Sequence, residues 1–262
     1  MYMSKCLRFS HALLPILVLF LFFGCANKVT RGVAATQKQI VFEFTVKGKL
    51  ALNNPNVTYY IAIYAPADKK GQVINASTDG PRFNGPALNF GPQVIDGRLP
   101  FIGLLPGDQE SKWTDFYYLK GSGDGQGTMG RGKLNAGLKP EIVQPNYPFN
   151  NLWRIKSPST FEVQIRLADL TSGIENAPNN LVFQIGTGDN IDEGGQGFVF
   201  DYWRTNLPFA IQTTQFNSPI QDRDETAQLI MRQIPGKPLP QLPAGVTQND
   251  VDILSYSYRI IQ

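Results

Sequence analysis

Thr160-Phe-Glu-Val-Gln-Ile-Arg-Leu167 is the stretch that decides the fold. Phe161, Val163, Ile165 and Leu167 alternate with Glu162, Gln164 and Arg166, the period of a strand with one buried face. A strand is predicted over residues 160–170. Outward from it the same period recurs twice. Leu254, Tyr256, Tyr258 and Ile260 alternate with Ser255, Ser257 and Arg259 across 251–261, and Phe42, Phe44, Val46 and Leu50 alternate with Glu43, Thr45, Lys47 and Lys49. Residues 57–65 read differently: Tyr59, Ile61 and Ile63 oppose Tyr60, Ala62 and Tyr64, so both faces are apolar and the strand is interior. Asn53-Asn54-Pro55-Asn56 is turn chemistry, and the strands on either side of it are predicted to form a hairpin.

Further strands are predicted over 112–120, 181–187, 198–203 and 207–213, with weak ones at 99–105 and Lys133-Leu134 and at most a short edge strand near Val73-Ile74. One short helix over 222–233 is capped by Asp222 with Glu225 three residues on. The 25 glycines and 19 prolines mark many turns, and 171–180 is the best internal boundary. The fold class read from this pattern is all-β: one antiparallel β-sandwich over 38–262 with long Gly/Pro-rich loops. It resembles immunoglobulin-like sandwiches in general architecture, which host many unrelated functions.

The N-terminus supplies an address. Lys5 and Arg8 precede the apolar run 12–23, which is too short for a comfortable span of roughly 20 residues and is interrupted by Pro15. The run ends in Leu21-Phe22-Phe23-Gly24-Cys25. That ending resembles the lipobox of bacterial lipoproteins, with two phenylalanines where Leu followed by Ala or Ser is usual. The resemblance covers about the first 25 residues. It implies a signal peptide over 1–24, an acylated Cys25 (diacylglyceryl and an amide-linked chain such as palmitate), and a tether over 26–37. Two or more acyl chains anchor stably. Ala26 lacks the aspartate that favours inner-membrane retention, so the outer membrane is the expected destination in a two-membrane envelope.

Removing Lys5 and Arg8 leaves 22 basic and 21 acidic residues, about +1, which argues against nucleic acid as a partner. His11 and Cys6 fall in the signal. The remaining chain therefore holds no histidine and no thiol except Cys25, which excludes Ser-His-Asp and Cys-His catalysis and zinc sites built on those residues. Gly121–Gly132 is glycine-rich, but no helix follows it and no Lys-Ser/Thr closes it, so it reads as a hairpin loop rather than a phosphate cradle.

Asp189, Asp192 and Glu193 gather carboxylates among glycines, the oxygen chemistry calcium takes, though not at EF-hand spacing. Trp113 with Asp115, and Asp201 with Trp203, set a flat ring beside a carboxylate, as glycan-binding sites do. The same carboxylates would serve a glycosidase if two of them stood roughly 5–10 Å apart. The leading expectation is an envelope lipoprotein whose sandwich is a non-catalytic binding or structural module, with another envelope protein or a glycan as partner. A glycan-binding module and a carboxylate-based hydrolase are the alternatives.

Overall fold

The computed structural model describes residues 38–75, 113–134, 140–148, 152–188, 199–203, 207–210, 220–221 and 242–261. Lys38–Gln262 clusters as one unit. Its strands in chain order are β1 (Gln39–Val46), β2 (Thr58–Tyr64), β3 (Asp115–Lys120), β4 (Thr128–Leu134), β5 (Pro140–Gln144), β6 (Trp153–Ser157), β7 (Thr160–Arg166), β8 (Asn180–Gly188), β9 (Val199–Tyr202), β10 (Leu207–Ala210), β11 (Ile220–Gln221) and β12 (Ile253–Ile261). They form two sheets. Sheet A runs β11-β12-β1-β7-β6; sheet B runs β10-β8-β2-β3-β4-β5, with β9 on the same edge of β8 as β10. Every pairing is antiparallel, so the chain is the expected all-β sandwich.

The alternation in β1, β7 and β12 aims one face of sheet A at sheet B. Phe42 meets Phe183 edge-on, Phe44 meets Tyr59, and Phe183 also meets Tyr256 and Tyr258. Each aromatic buried here stabilises by roughly 1.5–3 kcal/mol, with up to about 1.5 kcal/mol more per well-oriented ring pair. As its two apolar faces imply, β2 is central, between β3 and β8, and buried along its length except at Tyr64. A register shift opposite Thr45/Val46 gives the first inward position of β12 to Ile253 instead of Leu254.

The predicted β1–β2 hairpin is not formed. β1 belongs to sheet A and β2 to sheet B, and the turn residues 53–56 lie in a crossover between the sheets. Buried Leu50, Ala51 and Leu52 stopper that end of the core. The crossover is fixed by Leu50 N–H to Pro158 O (2.8 Å) and Ala51 N–H to the Tyr59 hydroxyl (2.6 Å). That hydroxyl in turn donates to Asp250 O at 3.0 Å.

β4 is longer than Lys133-Leu134 because its glycines belong to the sheet. A Cβ on Gly130 would fall inside the Tyr118 ring and one on Gly132 inside the Phe116 ring, so rings from β3 lie over bare backbone of β4. β5 and β6 are strands that the sequence pattern does not announce. Residues 72–75 near Val73-Ile74 form no strand, and the one described α-helix is α1 (Gln248–Val251). There Asp250 Oδ2 accepts the Thr247 N–H (2.8 Å) and hydroxyl (2.7 Å), while Oδ1 accepts the Lys49 N–H (2.8 Å). The strand over 99–105 and the helix over 222–233 lie outside the described residues.

Candidate functional site

Of the residues singled out in sequence, Asp115 has the most distinctive environment. It opens β3 at the end of the sandwich where β1 begins, 3% exposed. Its carboxylate joins sheet B to the turn that follows β7. The Thr171 N–H reaches both oxygens (3.0 and 3.1 Å), the Thr171 hydroxyl donates to Oδ1 (3.1 Å), and the Thr114 hydroxyl lies 2.6 Å from Oδ2. Burial pushes the carboxyl up to about 6, against the opposing pull of Thr114, Thr171 and nearby Arg131. Thr114 Oγ also accepts the Ala65 N–H at 2.8 Å and lies 3.3 Å from Ile63 O. Its single proton serves either Asp115 or Ile63; a protonated Asp115 would donate to Thr114 and release that proton for Ile63.

Beside it runs a second inter-sheet link that the sequence reading did not single out. Arg131 of β4 donates from Nη1 to Asp169 O (2.8 Å) and from Nε to Gln144 Oε1 (3.2 Å). Asp169 is also bonded by Arg166 Nε at 2.7 Å. Tyr147 stands edge-on to Tyr117 and donates to Gln164 O at 2.9 Å. A carboxyl that titrates near neutrality is competent for proton transfer in principle. Here its oxygens are engaged by donors that hold two sheets together.

Trp113 is 2% exposed and stands edge-on to Phe116, a burial that leaves the ring no free face for a sugar. Asp201, on β9, is likewise buried, and its Oδ2 accepts the Ile253 N–H of β12 at 2.8 Å. Trp203 is half-buried with its ring edge-on to Tyr256 (4.8 Å between centroids). The two pairs do not converge. Asp115 aligns with Ile63 and through it with Phe183, whereas Asp201 aligns with Thr187, four residues further along β8 and on the far side of that strand. Three strand spacings and four residues of rise put these backbones on the order of 20 Å apart, outside the 5–10 Å a glycosidase pair requires.

Cys25, Asp189, Asp192 and Glu193 lie outside the described residues, so the acylation and calcium readings rest on sequence. Among the described residues no group of three or more Asp, Glu, His or Cys side chains is placed to hold a metal ion, and no helix is long and apolar enough to cross a membrane.

The outer face of sheet A carries the other charged cluster. Glu43 and Glu162 sit directly opposite each other on β1 and β7, an arrangement that destabilises unless cations interleave. Arg154 binds Glu162 (3.0 Å), Lys156 binds Glu43 (2.6 Å), and Arg259 reaches both (3.4 and 3.6 Å). The alternation in β1, β7 and β12 places Glu43, Glu162 and Arg259 on one face of their strands; strand order brings them together, and Arg154 and Lys156 come from β6, which the sequence pattern does not announce. Comparison with protein-family models, with curated proteins and with solved structures found no match.

Proposed function

We propose that this chain is a bacterial envelope lipoprotein, anchored through acylated Cys25 after removal of residues 1–24, whose β-sandwich is a non-catalytic binding or structural module. The outer membrane is its destination where two membranes exist. The address is carried by Lys5 and Arg8, the apolar run and the Leu21–Cys25 ending.

One structural observation supports the non-catalytic part. The buried acidic side chains of the described sandwich, Asp115, Glu162, Asp201 and Asp252, are each engaged in holding it together. Asp115 takes the Thr171 N–H, Asp201 takes the Ile253 N–H, Glu162 binds Arg154 and Asp252 binds Lys47 at 2.8 Å. Side chains committed to backbone donors and ion pairs are poorly placed to act on a substrate. Incorporation of a labelled fatty acid into the wild type and not into Cys25→Ser is the expected result; equal label in both would end the anchored reading.

A further inference from the structure

We propose that the end of the sandwich at which residue 38 enters is a membrane-docking face that seats Val73 and Ile174 in the lipid surface. The inference rests on the anchored reading above and adds which face of the body meets the bilayer.

Three observations carry it. Val73 and Ile174 are among the few large apolar side chains exposed on the described surface, at 76% and 46%. They project from two loops laced into one ridge. The Gly71 N–H bonds Ala177 O (3.2 Å) and the Asn179 N–H bonds Gln72 O (2.8 Å). The Asn180 side chain accepts the Ile74 N–H (2.6 Å) and donates to Ile74 O (2.9 Å). The tips are thus presented on a fixed frame, which lowers the ordering cost of insertion.

The chain enters the body beside this ridge. Lys38 O accepts the Leu167 N–H at 3.0 Å, on the 3-10 turn (Leu167–Asp169) that leads directly toward Ile174.

The length of the intervening chain supplies the last observation. Twelve residues, 26–37, separate the acylated cysteine from that entry. Fully extended, the thirteen steps from Cys25 to Lys38 reach about 45 Å, so the ridge is held at high local concentration above the lipid. The opposite end, capped by the 47–57 crossover, lies a further ~25 Å away along the strands. Lys69 and Lys70 on the ridge are matched in number by Asp68 and Glu175, so apolar insertion at the headgroup boundary, rather than attraction to anionic lipid, is the recognition chemistry.

The test uses the mature acylated protein, in which an introduced cysteine is the only free thiol. Val73→Cys, Ile174→Cys and, at the far end, Asn56→Cys each carry an environment-sensitive fluorophore. The proteins are reconstituted on phosphatidylethanolamine–phosphatidylglycerol vesicles containing a lipid with a shallow acyl-chain nitroxide. Nitroxide quenching at 73 and 174 and none at 56 is expected, and Val73→Asp in the Ile174→Cys background reduces the quenching at 174 while flotation with the vesicles is unchanged. Flotation with no quenching at 73 or 174 overturns the docking face and leaves the anchor standing. Shielding of 73 from aqueous iodide without nitroxide quenching overturns it in favour of a protein or second-copy contact. Failure of the wild type to float removes the anchor and the docking face together.

Discussion

Replacing Asp115 by asparagine makes the sandwich more stable at neutral pH. The ordinary aspartate value of 3.8 is raised to about 6 at this position, first by burial. The folded chain therefore holds this proton more tightly than the unfolded chain. Asp115 contributes stability that is complete below about pH 4 and is lost as pH rises through about 6, a total of about 3 kcal/mol. Asparagine fits the same hydrogen bonds without the charge: its oxygen accepts from Thr171, and its amide donates to Thr114 Oγ, freeing the threonine proton for Ile63 O. Urea unfolding of the chain over residues 26–262, followed by tryptophan fluorescence, measures the gap between the two proteins. The asparagine form is expected to exceed its parent by about 3 kcal/mol near pH 7.5, narrowing to about 1 kcal/mol near pH 4.5. Acidic groups elsewhere titrate equally in both proteins and cancel. A gap that does not change with pH, or a parent that is the more stable at neutral pH, would refute the reasoning.

Other perturbations read out different parts of the structure. Gly132→Ala places a methyl group inside the Phe116 ring and against Glu141 O, and is expected to cost about 1–3 kcal/mol in the same unfolding assay. Phe183→Ala removes the ring that meets Phe42, Tyr256 and Tyr258; a loss of about 3–5 kcal/mol is expected, with a lowered midpoint in thermal melts. Asp250 has the opposite pH sign to Asp115. Burial works to raise its carboxyl, but hydrogen bonds from Lys49 and Thr247 outweigh it and hold the group below the usual range. Its contribution is present above about pH 4 and lost as pH falls through the lowered value, and Asp250→Asn is expected to cost about 1 kcal/mol at neutral pH and less in acid.

What the residues announce in advance is which side of a strand faces the apolar core. β7 and β12 are legible because Glu162, Gln164, Ser257 and Arg259 alternate with large apolar groups, and β2 is legible as interior because Tyr60 and Ala62 are as apolar as their neighbours. Alternation does not say which sheet a strand joins. Asn53–Asn56 turns the chain equally well into a hairpin or across the sandwich, and ring contacts such as Phe44 with Tyr59, formed between sheets, accompany the second outcome. β4 is hidden because Gly130 and Gly132 carry no side-chain signal of their own; the covering rings come from Phe116 and Tyr118 on the next strand. The surroundings of the candidate residues are hidden for a related reason. A tryptophan beside an aspartate looks like a ligand platform when only neighbours are visible, whereas Asp115 and Asp201 bond backbone N–H groups 56 and 52 positions away.

The position of β1 has a kinetic consequence. Its neighbours in sheet A are β7 and β12, and the β12 register joins Gln39 to Ile261, across more than 200 residues of chain. Pairing of such distant segments is slow, because the entropy of closing the intervening loop must be lost before any contact forms. During synthesis Gln39–Val46 emerges early and waits with an open hydrogen-bonding edge and five apolar side chains, Ile40, Val41, Phe42, Phe44 and Val46, until the 253–261 segment arrives. A nascent chain of this design stays unfinished while most of its length is already made. Shielding of that early strand during synthesis is therefore expected to raise the yield of folded protein.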